Sequence, residues 1–190
     1  MRNTLILASS SPRRKELLTI AGIPFVEGLC YKCDESYPAD MPTHAVAEYL
    51  ASKKSNLYPK EISEKQILLT ADTVVILNEE ILGKPTNREE AIKMLAKLSG
   101  KKHEVVTGVC LRTKNKKFSF SDSSYVYFAP MSIEEIEDYV DTCKPYDKAG
   151  AYGVQEKIGY TCIEKIEGLY SNIMGLPVQR LYKALFSIKN

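Results

Sequence analysis

Residues 4–14 read Thr-Leu-Ile-Leu-Ala-Ser-Ser-Ser-Pro-Arg-Arg, and this run passes from strand-like to helix-like chemistry without a linker. The apolar residues 4–8 predict a short buried strand. Ser11 is a favourable helix N-cap, and Pro12 suits the first helical position, where its missing N–H would be unpaired in any case. A strand followed at once by a helix favours a layered α/β fold.

The rest of the chain continues this alternation, with no internal repeat and no Gly/Ser linker. Capping patterns begin two helices, because Glu90 follows Asn87, and Glu135 follows Ser132, at the spacing of a capping box. Further helices are predicted over residues 176–188 and over residues 44–57, the latter with Val46, Tyr49, Leu50 and Leu57 on its apolar side. Strands are predicted over residues 25–32, 66–77, 103–113, 116–129 and 160–166. We expect residues 1–190 to form a single domain; if it is bilobed, the cleft between its lobes is the natural ligand site.

The composition excludes several classes of protein. Of the 190 residues, 44% are hydrophobic and 26% are charged, which is typical of a globular protein and argues against wholesale disorder. The net charge of +2 is too small for a surface that coats nucleic acid or an anionic membrane. The longest stretch without a charged residue has 12 residues (168–179), whereas a membrane span needs roughly 20. The first residues do not read as a secretory signal, so we expect a cytoplasmic protein without a nucleic-acid or membrane partner.

The five cysteines fit a reducing compartment, because their number is odd. Cys30 and Cys33 form one CxxC pair, which suits half of a zinc site, a redox pair, or two reduced thiols near a strand. The last interpretation is favoured, because the chain has no second CxxC and because His44 and His103 lack the spacing of zinc ligands.

The turn between the first strand and helix carries the first candidate site. A helix N-terminus offers unpaired N–H groups and a partial positive charge. The hydroxyls of Ser9 and Ser11 add hydrogen-bond donors, and Arg13 and Arg14 add planar guanidinium groups that match phosphate oxygens. These residues predict a phosphate-binding turn, although a simple helix cap with solvated arginines has the same pattern.

The second candidate is Asp72, which lies with Thr73 in the middle of an apolar run. A carboxylate there can hold Mg²⁺ and can orient or deprotonate a water molecule, or backbone amides can simply satisfy it. Asp34 and Glu35 follow the second predicted strand, and they either share the metal or belong to a solvated acidic loop.

Two lysines and a glutamine complete the candidates. Lys84 lies between Gly83 and Pro85 in a loop that can present it at a fixed place, and Lys53 on the second helix can join it, although either lysine can be an ordinary surface residue. Gln155 ends a glycine-containing stretch, and its amide offers the donor and acceptor that match the N3–H and O4 of uracil or thymine. The alternative for Gln155 is a tight turn with an ordinary glutamine.

The residues resemble the Maf-type nucleoside triphosphate pyrophosphatases over almost the whole chain. The matching motifs include Ser11-Pro12-Arg13-Arg14, Ala71-Asp72-Thr73 and Gly83-Lys84-Pro85. The full set comprises residues 7–18, 71–75, 83–85, 94–100, 107–109, 147–155 and 174–177.

This resemblance implies a fold like that of Maf and ITPase proteins, with a central twisted mixed sheet flanked by helices and two lobes around a cleft. It implies hydrolysis of a nucleoside triphosphate between the α and β phosphates, with Mg²⁺ or Mn²⁺ and with a homodimer as an expected assembly. Asp72 matches the family's catalytic base, and Arg13, Thr73 and Gln155 match the residues that mark the branch preferring dTTP and UTP. Lys53 and Lys84 match its catalytic lysines.

For the metal, the resemblance implies ligands at Asp72 and in the acidic pair Asp34 and Glu35, without dividing the role between the last two. The chain departs from the family pattern at Glu156, where glycine is usual. Two rival hypotheses stay open from the residues alone: a nucleotide-sensing module that is linked to cell-division arrest and binds without turnover, and a nucleic-acid binder, against which the net charge speaks.

Overall fold

The computed structural model describes residues 3–188, and within them the strands form one mixed sheet. The strands are β1 (Thr4–Leu7), β2 (Phe25–Glu27), β3 (Gln66–Leu77), β4 (Glu80–Leu82), β5 (Lys102–Arg112), β6 (Lys117–Phe128) and β7 (Ile163–Glu167). Their order is β2-β1-β3-β5-β6-β7, with β4 paired to β3. β1 runs parallel to β2 and to β3, whereas the β3–β4 and β6–β7 pairs are antiparallel. The predicted α/β class with a mixed sheet is confirmed.

Helices flank this sheet. They are α1 (Pro12–Ile20), α2 (Thr43–Leu57), α3 (Arg88–Leu98), α4 (Ile133–Cys143), α5 (Lys157–Thr161), α6 (Tyr170–Ile173) and α7 (Val178–Ile188), with a 3₁₀ turn at Ala149–Ala151. Nearly every residue of β3 is buried, which is the pattern of a strand covered on both faces. Within residues 3–188, no helix is long and apolar enough to cross a membrane.

By its internal contacts the chain separates into two compact units. The first comprises residues up to 72, residues 107–122 and residues from 175 onward, and the second comprises residues 73–106 and 123–174. The single domain predicted from the sequence stays a prediction, because a compact unit is not necessarily one that folds alone.

In the first unit, the backbone of α2 packs directly against β5 at Gly108. A Cβ atom at this position would lie 2.2 Å from the carbonyl carbon of Ala47, so only glycine fits. This close approach decides which face of α2 is buried. Ala47 and Ala51 are buried, whereas Tyr49 and Leu57, which we expected on the apolar face, are 37% and 52% exposed.

Two strand predictions were wrong in part. The strand predicted over residues 25–32 ends at Glu27, because its partner β1 ends at Leu7 and offers no further backbone groups to pair with. The strand predicted over residues 160–166 begins only at Ile163, because residues 157–161 form α5. The N–H of Gly159 donates to the carbonyl of Glu156 at 2.9 Å, which fixes this turn of helix.

β4 was not predicted from the sequence. The hairpin that joins it to β3 turns through Asn78 and Glu79, whose φ angles are 50° and 64°. Two consecutive positive φ angles are typical of a type I′ turn, for which Asn-Gly is the usual sequence. This chain has Glu79 where that pattern has glycine, so the sequence did not indicate a hairpin here.

Candidate active site

The turn between β1 and α1 starts the helix at Pro12, as the sequence predicts. The N–H of Ala8 donates to the carbonyl of Leu69 at 3.0 Å, which ties the end of β1 to β3. Ser11 is the N-cap of α1 and Pro12 its first residue, but the Ser11 hydroxyl makes no capping hydrogen bond. Instead, its backbone N–H donates to the Oγ of Ser9 at 3.2 Å. The turn therefore places two serine hydroxyls at the positive end of a helix.

Arg14 is held at this turn by two hydrogen bonds. Its Nε donates to the carbonyl of Gly175 at 2.8 Å, and one terminal nitrogen donates to the Oγ of Ser9 at 3.1 Å. Burial lowers the pKa of Arg14, the charges of Asp72 and Glu35 oppose this shift, and neighbouring Arg13 adds to it. An arginine keeps its charge in a protein, so this fixed guanidinium is a permanent positive charge on which the charges of Asp72 and Glu35 act.

Asp72 is buried, with 7% of its surface exposed, and its partner is a lysine. The ammonium of Lys54 donates both to Oδ1 of Asp72 and, at 2.7 Å, to Oε1 of Glu35. Burial lowers the pKa of Lys54, but the two carboxylates outweigh it, so the net shift is upward. The ammonium thus stays charged and holds the two acids together.

The neighbouring lysine takes a different acid. Lys53 donates to Oδ2 of Asp34 at 3.0 Å and to the carbonyl of Ser36 at 2.8 Å. Hydrogen bonds from the Ser36 hydroxyl and then from Lys53 lower the pKa of Asp34 to about 2. The Asp34 side chain is 71% exposed, so this pair lies at the surface, whereas the Lys54 pair is mostly enclosed.

Sequence reasoning missed Lys54. A helix turns once in 3.6 residues, and Lys54 lies seven residues after Ala47 and three after Ala51, at the middle of the buried face. Ala47 and Ala51 mark the buried face of α2. The prediction assumed instead that large apolar residues mark it, and so it included Tyr49 and Leu57.

Three of the predicted residues belong to the second unit. Thr73 follows Asp72 directly on β3, and Lys84 lies in the loop after β4. The N–H of Gly150 donates to the carbonyl of Gly83 at 3.0 Å, which ties this loop to the glycine-containing stretch that leads to Gln155.

Gln155 lies between the 3₁₀ turn and α5, and its side chain is half-buried. Its Oε1 atom is buried and has no hydrogen-bond partner among the described residues. A buried amide oxygen left unsatisfied costs free energy, so an N–H group of a ligand would stabilise this position.

The carboxylates fit a divalent cation only in part. Among the described residues, no three His, Cys, Asp or Glu side chains are grouped to hold a metal ion. Mg²⁺, however, is usually held by one or two carboxylates together with substrate phosphates. Glu35 and Asp72, which already converge on the ammonium of Lys54, are such a pair, whereas Asp34 is engaged by Lys53.

The structure thus brings Ser9, Arg14, Glu35, Lys54 and Asp72 together in the first unit. Arg13 is the neighbour of Arg14 in the sequence, and its positive charge acts on Arg14. Asp34 and Lys53 form a separate ion pair. The catalytic, substrate-binding and metal-binding roles of all these residues stay predictions.

Comparison with known proteins identifies the family of this chain. The family model of Maf-like proteins matches residues 4–188. A dTTP/UTP pyrophosphatase of Bacteroides thetaiotaomicron is 50% identical over 95% of this chain and 94% of its own. Those of Parabacteroides distasonis and Porphyromonas gingivalis are 47% and 48% identical, over 95% of this chain and 94% and 92% of theirs.

A solved structure, the nucleoside-triphosphatase / dITP/XTP pyrophosphatase of Mycobacterium abscessus, aligns with 67% of this chain and 75% of that chain. Its TM-score of 0.37 and identity of 12% are too low to support an inference about fold or function. The family model and the three relatives need no such support, and by them the chain belongs to the family of Maf-like proteins.

Proposed function

We propose that this chain is a nucleoside triphosphate pyrophosphatase that hydrolyses dTTP and UTP to the nucleoside monophosphate and pyrophosphate. One observation carries the proposal: the ammonium of Lys54 joins the carboxylates of Asp72 and Glu35, and the charges of both carboxylates act on the fixed guanidinium of Arg14. Hydrolysis of a triphosphate ester uses carboxylates to hold a divalent cation and cationic side chains to stabilise the charge on the phosphate oxygens. The names of the relatives, dTTP/UTP pyrophosphatases, support the same activity.

In this proposal, Asp72 orients the attacking water and accepts its proton. A free aspartate has a pKa near 3.9 and is a weak base towards bulk water, so the water must itself be activated. Glu35 and Asp72 would hold a divalent cation alongside the substrate phosphates, and such an ion lowers the pKa of a bound water and neutralises phosphate charge. The water attacks the α-phosphorus, and pyrophosphate leaves.

The cationic side chains stabilise the charge that builds up on the phosphate oxygens. Arg14, fixed by Ser9 and Gly175, supplies a planar pair of donors, and Arg13 lies next to it. Lys54 already donates to both acids, so it can turn from one of them to a phosphate oxygen without losing all its partners. Lys84 is a further cation for the leaving group.

Gln155 selects the base. Its unsatisfied Oε1 accepts the N3–H of uracil or thymine, and its amide N–H donates to O4. Cytosine and adenine present no N–H at the corresponding ring position, so they leave Oε1 without a partner. Discrimination of this kind is strong, because the wrong base leaves buried polar groups unpaired.

The experiment is a screen of UTP, dTTP, CTP, ATP, GTP and 5-substituted uridine triphosphates, each with Mg²⁺ or Mn²⁺ and each without metal. Nucleotide products and pyrophosphate are measured together. We expect UMP and TMP in equal amount with pyrophosphate, only in the presence of metal. Binding of UTP without release of pyrophosphate would favour the nucleotide-sensing module instead, and release of phosphate with UDP would exclude cleavage at the α–β bond.

The partner and location follow from this activity. A nucleoside triphosphate is the ligand, and we propose the cytoplasm as its place of action. We propose no nucleic-acid partner, because the net charge is only +2. The homodimer implied by the family resemblance is checked by light scattering on the purified protein.

A further inference from the structure

Glu156, the departure from the family pattern, lies at the centre of a small polar network in the second unit. Its Oε2 accepts a hydrogen bond from the hydroxyl of Tyr139 at 2.5 Å, and its Oε1 lies 3.0 Å from the ammonium of Lys148. The side chain of Lys148 is only 9% exposed and that of Glu156 is 24% exposed. A carboxylate with two such enclosed partners is built into the structure rather than solvated.

The network reaches the backbone beside Gln155 through Tyr139. The N–H of Gly153 donates to the hydroxyl oxygen of Tyr139 at 3.1 Å, while the same hydroxyl donates to Glu156. Burial, and then the hydrogen bond with Glu156, raise the pKa of Tyr139, so the hydroxyl keeps its proton. The order of donation is therefore fixed from Gly153 through Tyr139 to Glu156.

The glycine at 153 makes room for this arrangement. A Cβ atom there would lie 2.7 Å from the carboxyl carbon of Glu156, so the carboxylate lies directly against the backbone of Gly153. The N–H of Glu156 also donates to the carbonyl of Gly153 at 3.0 Å. Residues 153 and 156 are thus joined both through the backbone and through Tyr139.

A second anchor holds the residue before Gly153. The hydroxyl of Tyr152 lies 2.8 Å from Nε2 of His103, and the Tyr152 ring packs edge-on against Phe128 with ring centroids 5.0 Å apart. Gln155 therefore has anchored residues on both sides. Its own Oε1 has no partner among the described residues, so its position depends on these neighbours.

We propose that Glu156 is a positioning residue for base recognition: acting through Tyr139 and Lys148, it fixes the backbone of residues 153–155 and so aims the Gln155 amide at the base. The inference rests on the proposed function, because it assigns Glu156 a role in the base recognition proposed for Gln155. It predicts that Glu156 sets the affinity for the preferred base and leaves the phosphate chemistry unchanged.

The test compares Glu156→Gln, Tyr139→Phe and the double variant with the parent protein, using UTP and ATP as substrates. Glu164→Gln is the matched control, because it removes the same charge at an exposed position of the second unit. We expect KM for UTP to rise about tenfold in each single variant, with kcat changed much less. The ratio of kcat/KM for UTP to that for ATP falls accordingly, and the control keeps the ratio of the parent.

The double variant should lose no more than the larger single loss, because both changes break one chain of hydrogen bonds. The UTP-to-ATP ratio is measured on one protein sample, so an unfolded fraction cancels from it. A fall in kcat that is equal for both nucleotides, an unchanged ratio, or additive losses would each overturn the proposal.

If the parent protein releases no pyrophosphate, the proposed function fails, and the positioning role is then read by calorimetry. An affinity for UTP that is the same in the parent and in Glu156→Gln would overturn it independently.

Discussion

The ammonium of Lys54 donates to the carboxylate of Asp72, although the two residues belong to a helix and a strand 18 positions apart. This contact gives the buried aspartate a cation as its partner and, with Glu35, joins three charges in one place. The lysine immediately before it has no part in this group and pairs with Asp34 at the surface.

Adjacent lysines on one helix make a matched pair of variants. We expect Lys54→Met to lower kcat/KM for UTP by at least about a hundredfold, because it removes the cation between Asp72 and Glu35. Lys53→Met should lower it by less than about tenfold, because its partner Asp34 is exposed. Initial rates of pyrophosphate release measure both. The opposite order would mean that Lys53 is a catalytic lysine, as the family resemblance implies for Lys53 and Lys84.

Asp72→Asn tests the base. The amide keeps the shape of the side chain but cannot accept the proton of the attacking water, so we expect turnover to fall by about a thousandfold or more. Binding of UTP, measured by calorimetry, should persist, because Arg14 and the serine turn are unchanged. Full activity in this variant would remove Asp72 from the role of base.

Gln155→Ala tests base selection. The parent should favour UTP over ATP, and the variant should lose about ten- to a hundredfold of that preference because the paired donor and acceptor are gone. Gln179→Ala removes an exposed glutamine from α7 and serves as the control. A variant that separates the two nucleotides as sharply as the parent would contradict the assignment.

His103 predicts how stability depends on pH. Burial lowers its pKa from 6.5 to about 4, so the folded protein holds His103 neutral where the unfolded chain takes up a proton. The stability is therefore complete above pH 6.5 and falls as the pH drops towards 4, by about 3 kcal/mol in the free energy of unfolding.

Urea denaturation between pH 7 and pH 4 measures this loss. His103→Gln should flatten the dependence in this window, whereas His44→Gln, at an exposed position, should leave it unchanged. Asp34 also stabilises the folded protein, because its pKa is lowered from 3.8 to about 2. That stabilisation is lost only as the pH falls from about 4 towards 2, so it can be distinguished from the loss due to His103. A profile of His103→Gln that matches the parent would contradict the prediction.

Gly108→Ala tests the close packing of α2. The added methyl group would lie 2.2 Å from the backbone of Ala47, so the helix must shift, and we expect a loss of more than about 2 kcal/mol in the free energy of unfolding. Gly83→Ala is the control, because a Cβ there meets nothing within 4 Å. Equal thermal melting of both variants would show that α2 can move away at little cost.

Much of the fold could be predicted from local patterns. β3 was predicted with its observed ends, because its apolar run is rich in residues that favour strands and is bounded by polar residues. The helix caps at Asn87 and Ser132 were also correct, since a cap depends only on its neighbours within one turn. Features set by distant parts of the chain were less accessible: β2 ends early because β1 does.

The candidate site shows the same division. Asp72 stood out because a carboxylate in a buried strand needs a partner, but the sequence did not say which partner. The distinction between Lys53 and Lys54 depends on which face of α2 meets the sheet, and that face is fixed by Gly108, more than fifty residues further along the chain. The network around Glu156 likewise joins α4 to a loop, so no local pattern revealed it.

Gly108 has no functional group, yet it sets the distance of a charged one. The α2 backbone packs directly against the backbone of Gly108, because glycine has no Cβ atom. This close packing fixes how far α2, and with it Lys54, reaches towards Asp72. Natural variation at position 108 should accordingly be scarcer than at many residues that touch the nucleotide. Protein engineering that alters the site can therefore exchange side chains around it, but must keep glycine at position 108.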